Sequence, residues 1–146
     1  MSVTGGIVCS KDGFGCTVLD ASGVATDHEI VVPKSVHGRG AALAWVAEES
    51  SRLAELNGLE RVALQKPGGG KFGASGERYE IEAAVQIGLH KADVSCERLN
   101  REQVRAAFGV TKAKGAYERL LARDDVSVRS NATRRDQYLL AMAVRE

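Results

Sequence analysis

The stretch Val62–Gln86, VALQKPGGGKFGASGERYEIEAAVQ, decides how the rest of the chain is read. It runs from a short apolar segment through a glycine-rich loop with two lysines into the start of a helix. Arg61 to Gln65 has the length and apolar content of a strand. From about Glu77 to His90, Ile81, Ala84, Val85 and Leu89 recur at helical spacing. A helix also precedes the strand. Ala41, Leu43, Ala44, Val46, Ala47, Leu53, Ala54 and Leu56 keep the same period, and Asn57-Gly58 supplies residues that tolerate a left-handed cap. A helix that feeds a strand implies a right-handed crossover, which sets this strand parallel to another.

Upstream, the pattern is that of hairpins. Gly6 to Cys9 and Cys16 to Asp20 are apolar or β-branched runs separated by the turn cluster Ser10-Lys11-Asp12-Gly13. After Ala21-Ser22-Gly23, a third run, His28 to Val32, stops at Pro33. Three strands joined by loops this short pair antiparallel. Downstream, Val94 to Glu97 is expected as a strand, Asn100 as the N-cap of a helix reaching Phe108, and Lys112 to Arg123 as a further helix. Asp124 to Arg129 is read as a short strand or plain loop, and Thr133 to Val144 as the last helix. The order gives an α/β domain with a mixed five-stranded sheet, three antiparallel strands followed by parallel ones, and helices on both faces. With 146 residues, 44% of them apolar, one domain spanning 1–146 is expected.

Composition narrows the function classes. Lys and Arg total 20 against 19 Asp and Glu, so any attraction to nucleic acid or an anionic surface must be local. No 18-residue apolar run exists to span a bilayer, and MSVTGGIVCSKDG lacks the basic head and apolar core of a signal peptide, so a cytoplasmic protein without a membrane partner is expected. Cys9, Cys16 and Cys96 contain no CxxC pair and fit reduced thiols in the core. His28, His37 and His90 have no nearby ligand partner in sequence, and Trp45 sits on an apolar helical face and is expected in the core. The loop GGGKFGASG lacks the GK[ST] ending of a P-loop.

The element order resembles the ribonuclease H-like fold. Lys71 to Gln86, KFGASGERYEIEAAVQ, and Leu99 to Leu121, LNREQVRAAFGVTKAKGAYERLL, resemble segments of its RuvC-type branch of junction resolvases, and the first resembles more closely a small bacterial family of unknown function related to that branch. That resemblance implies phosphodiester cleavage by two Mg²⁺ ions held by three or four carboxylates. It places one acid in the middle of the first strand, one at the end of the fourth, and one or two at the start of the last helix.

The sequence departs from this pattern. Gly6-Ile7-Val8-Cys9-Ser10 carries no acid, and the nearest is Asp12 in the turn. The fourth strand ends in Gln65-Lys66, a neutral amide and an ammonium in place of a carboxylate. Asp136, preceded by Arg134 and Arg135, is the remaining metal-ligand candidate. The reading that follows is a nucleic-acid-associated domain with an eroded metal site and little or no nuclease activity. Lys66, Lys71, Phe72, Arg78, Lys112, Lys114, Arg134 and Arg135, with Tyr79 as a further stacking group, would contact DNA or RNA. Two alternatives stand beside it. One is an active Mg²⁺-dependent endonuclease whose catalytic acids have shifted to Asp12, Glu82 and Asp136. The other is a structural homodimer packed through the edge of the mixed sheet or through the small-residue faces Ala41-Ala42-Ala44-Ala47 and Ala83-Ala84.

Overall fold

The computed structural model describes residues 2–67, 75–110 and 115–145. Strands β1 (Thr4–Ser10), β2 (Gly13–Leu19) and β3 (Ala25–Val31) form the antiparallel meander. Helix α1 (Arg39–Asn57) crosses to β4 (Arg61–Gln65), and α2 (Gly76–Lys91) crosses to β5 (Ser95–Leu99). β4 pairs parallel with both β1 and β5, giving the order β3-β2-β1-β4-β5. The short helices α3 (Arg101–Ala107), α4 (Ala116–Leu121) and α5 (Asp124–Ser127) lead to α6 (Ala132–Ala143).

Local chemistry sets the boundaries. Gly58 ends α1 in the left-handed conformation with φ of 64°, as the Asn-Gly pair predicts. Ser75 caps α2 by accepting from the Arg78 amide. Asn100 caps α3 and forms a reciprocal capping box with Gln103. One sequence expectation fails here. Asp124 to Arg129 contains a helical turn, α5, which buries Val126 completely against α6. Four residues are too few for periodicity to register. Of the expected helix from Lys112, the described part is Ala116–Leu121. Residues Lys71, Phe72, Lys112 and Lys114 lie outside the described residues.

Side-chain alternation splits the core into two layers. Ile7, Cys9, Phe14, Cys16, Val18, Val62 and Leu64 face α1 and α2. Leu19 and Ala63 face α6, together with the apolar residues of α3, α4 and α5. Trp45 is half-buried and packs against the first layer rather than within it. Glycine sets the close approaches on both faces. A Cβ at Gly88 of α2 would overlap Ser50 Oγ and the Ala47 carbonyl oxygen of α1. Ala47 and Ala84 are thus used in packing α1 against α2, whereas Ala41, Ala44 and Ala83 face solvent.

The three thiols are free; Cys9 and Cys16 lie in the core, whereas Cys96 is half-buried and packs against it. Burial pushes Cys9 and Cys16 up to about 12 and Cys96 to about 11 from an ordinary 9.0. A folded-state pKa above the unfolded value means that the neutral thiol favours the native state. This contribution is intact below about pH 9 and is lost as pH rises towards 12. Urea midpoints are therefore expected to fall across that alkaline window, and less steeply in a Cys16→Ala variant. An equal slope in the variant would remove the assignment.

Candidate functional site

The carboxyl ends of β1 and β4 lie side by side on the α6 face. Register pairs Gly6 with Ala63 and Ile7 with Leu64. One step further along the same register sets Val8 beside Gln65. Val8 also pairs with Gly15 of β2, which pairs with Glu29 of β3. The row across the sheet is therefore Glu29, Gly15, Val8, Gln65, and Leu99 follows on β5. Two clefts open above it. One, of about 350 Å³, lies between β1–β3 and the start of α6, where Asn131, Thr133, Arg134 and Gln137 line it. The other, of about 390 Å³, is bounded by Gln65, Lys66, Asn100, Arg101 and Glu102.

Helix α6 is fixed over this row by polar contacts. Thr4 Oγ1 donates to the Ala141 carbonyl at 2.8 Å. Thr17 Oγ1 donates to Asp27 Oδ1 at 2.6 Å and lies 3.2 Å from Gln137 Oε1. A hydroxyl has one proton, which goes to the nearer carboxylate.

Asp136 is held among α3 and α4, beside Arg101, which lines the second cleft. It is buried, and the Tyr117 hydroxyl donates to its Oδ1 at 2.5 Å. Arg101 covers both groups, with Nη2 3.7 Å from Oδ2 and Cζ 4.7 Å from the Tyr117 ring centre. Burial, and then the hydrogen bond to Asp136, pushes the Tyr117 hydroxyl well above its ordinary pKa. The carboxylate thus ties α6 to α3 and α4.

Glu82 lies on the opposite face of the sheet. It is 2% exposed and pairs with Arg98 Nε of β5. Its second oxygen is 3.6 Å from Arg78 Nη1. Arg78 in turn donates to the Cys9 carbonyl at 2.9 Å and the Gln65 carbonyl at 3.3 Å. A guanidinium thus bridges the ends of β1 and β4, with Glu82 as its counter-charge. In sequence, Glu82 forms a polar line with Tyr79 and Gln86, but its partner Arg98 is distant. Asp12 is exposed in the β1–β2 turn. Asp12, Glu82 and Asp136 are not brought together. Among the described residues, no group of three or more His, Cys, Asp or Glu side chains is placed to hold a metal ion.

The cations divide into two sets. Lys66 lines the second cleft and Arg134 the first, so both face the carboxyl edge. Arg78 is spent on strand carbonyls. Arg135 Nη2 donates to the Ser127 carbonyl, which ties α6 to α5. Sequence reading missed Arg101 and Arg105, which line a third, shallower cleft with Tyr117. Their signal was position, directly after the cap that ends β5.

Two solved structures are similar to this chain throughout. A structure of Thermus thermophilus RuvC superposes with a TM-score of 0.71 at 15% identity, covering 97% of this chain and 92% of that one. T. thermophilus RuvC in complex with a Holliday junction substrate gives a TM-score of 0.67 at 15% identity, covering 98% and 92%. This chain has the RuvC-type ribonuclease H-like fold. No family model and no curated protein matches the sequence. Within the RuvC-type fold, the row Val8–Gln65 and the first turn of α6 are where the resemblance placed the acids. Here the described residues supply Val8, Gln65, Thr133 and Arg134, and Asp136 follows as the one acid at the start of α6. No described helix is long and apolar enough to cross a membrane.

Proposed function

We propose that this chain is a nucleic-acid-associated RuvC-type domain that binds DNA or RNA along the carboxyl edge of its sheet and does not cleave it by a two-metal mechanism. One observation carries the reading: the row where the fold would gather carboxylates offers Val8 and Gln65, flanked by Lys66, Arg101 and Arg134. A valine has no ligand atom, a neutral amide is a poor ligand for a hard cation, and arginine repels one. The residues present do not fit a pair of Mg²⁺ ions. Glu82 is no substitute, because it lies behind the sheet and is neutralised by two arginines.

Binding then rests on phosphate contacts. T. thermophilus RuvC with its Holliday junction substrate supports a nucleic-acid partner for this fold. The protein works in the cytoplasm, as two paired copies. Lys71, Phe72, Lys112 and Lys114, named from the sequence alone, join the proposed contact set.

Gel shifts on branched, double-stranded and single-stranded substrates test the reading. At about 50 mM salt a shift is expected, weakening by orders of magnitude towards about 200 mM. Lys66→Glu and Arg134→Glu should each weaken it and lower the salt slope by about one ion or more. Product formation with Mg²⁺ should stay at background, and Asp136→Asn should not change it. Cleavage abolished by Asp136→Asn would restore the active-nuclease alternative, and absence of any shift at the lower salt would remove nucleic acid as the partner.

A further inference from the structure

The sheet ends on one side in β3, whose seven residues pair with β2 alone. In an antiparallel pair, every second residue of such a strand turns its N–H and C=O away from its neighbour. Among the described residues, nothing outside the sheet hydrogen-bonds to the backbone of Ala25–Val31. Open edges are commonly blunted by lysine, proline or a bulge. β3 has none of these: ATDHEIV holds no lysine or proline, and its register with β2 runs unbroken from Gly13 and Val31 to Leu19 and Ala25.

The strand has two faces. Ala25 packs on the α6 side and Asp27 holds Thr17 there, so Glu29 and Val31 follow on that side by alternation. Thr26, His28 and Ile30 stand on the other, where Ile30 packs against the α1–α2 layer. Thr26, Glu29 and Val31 are exposed, Val31 by 55%. Its fixed charges, Asp27 and Glu29, are both negative, and neither has a cationic partner among the described residues. Arg134, which lines the first cleft with Glu29, donates to Ser130 instead.

These charges exclude one occupant and select another. A second β3 laid antiparallel about His28 would set Asp27 against Glu29 twice, and like charges directly opposite are destabilising. An incoming strand with lysine or arginine at every second position instead places its cations beside both acids. Its intervening β-branched residues then lie along Thr26, His28 and Ile30. We propose that the outer edge of β3 is a docking site for an extended segment of a partner protein, basic at alternate residues, which adds to the five-stranded sheet as a further strand. Main-chain hydrogen bonds supply the affinity, and the two acids the selection. This goes beyond the nucleic-acid reading, because acids repel phosphate and attract a basic strand.

Fluorescence anisotropy of labelled heptapeptides with the full chain, at about 0.15 M salt, reads the result. The peptide TKVKVKT is expected to bind with a dissociation constant below about 1 mM, and TEVEVET to show no binding in that range. KKKTVVT has the same composition and charge without the alternation, and should bind at least about tenfold more weakly. Glu29→Lys should weaken TKVKVKT at least about tenfold, and Glu29→Gln by less. Glu29 is exposed, so both variants should keep the circular dichroism spectrum and Tm of the wild type. Amide hydrogen exchange should slow in β3 on binding and stay unchanged in β5, the opposite edge of the sheet. No binding of TKVKVKT up to about 1 mM, equal binding by KKKTVVT, an affinity indifferent to Glu29→Lys, or slowed exchange confined to β5 would each overturn the proposal.

Discussion

Gly6→Ala is expected to lower the free energy of unfolding by about 3 kcal/mol or more, the range of severe overpacking. A Cβ at this position would overlap the Gln137 carbonyl oxygen and lie 2.7 Å from the Ala141 nitrogen and 2.8 Å from Leu140 Cβ. These obstacles are mostly the backbone of α6, which cannot rotate aside. The helix must lift as a body, and Leu139, Leu140 and Ala141, all buried, lift with it. Thr4 Oγ1 would then lose the Ala141 carbonyl. Gly15→Ala is the control. Its Cβ would meet Gln137 Nε2, the free end of a flexible side chain, so the cost should stay near 1 kcal/mol. Chemical denaturation of both variants decides the matter. If the two cost the same, α6 does not rest on Gly6 as described. Because α6 also carries Arg134 over the first cleft, Gly6→Ala should weaken nucleic-acid binding more than Gly15→Ala does.

The architecture was legible because its signals are local. Hairpin turns, the Asn57-Gly58 stop and the Asn100 cap each act within a few residues, and the switch from period two to period 3.6 marks where crossovers begin. The site was legible only as a set of departures. That Val8 and Gln65 stand where acids would be follows from strand position, which sequence supplies. What Asp136 and Glu82 do instead does not follow, because their partners are remote. Tyr117 is 19 positions from Asp136, and Arg98 is 16 from Glu82. No periodicity joins them, and only the folded chain brings Arg98 of β5 to Glu82 and Tyr117 of α4 to Asp136. Arg78 reads as a phosphate contact for the same reason: an arginine beside a glycine-rich loop looks solvent-facing until the ends of β1 and β4 are seen to part beneath it. The alanines of α1 and α2 were visible in sequence, but Ala47 and Ala84 are used in packing within the chain, and Ile87 carries exposed apolar surface.

Glu82→Ala should be the most destabilising single side-chain truncation, by about 3–5 kcal/mol, the cost of breaking a buried ion pair and leaving its partners uncompensated. Glu82 is 2% exposed, and the Arg78 side chain 13%. Without the carboxylate, two guanidiniums would share an apolar layer with Ile7, Cys9 and Leu64. Arg98 has an escape, since its side chain is 36% exposed and can turn to solvent. Arg78 has none that keeps its hydrogen bonds to the Cys9 and Gln65 carbonyls, so the ends of β1 and β4 should loosen with it. For a chain of this length the loss corresponds to a melting temperature roughly 10 °C lower. Glu82→Gln keeps the shape and one acceptor, and should cost less. The sign separates the two roles considered for Glu82. Acids gathered around a metal repel one another, so removing one from a metal-free protein leaves stability unchanged or raises it. An internal counter-ion does the reverse, and its effect is indifferent to EDTA and to added Mg²⁺. Thermal melts of wild type, Glu82→Gln and Glu82→Ala, each with and without Mg²⁺, therefore distinguish them. A Glu82→Ala protein as stable as wild type, or Mg²⁺ stabilising the wild type but not Glu82→Ala, would return this carboxylate to the metal-ligand set.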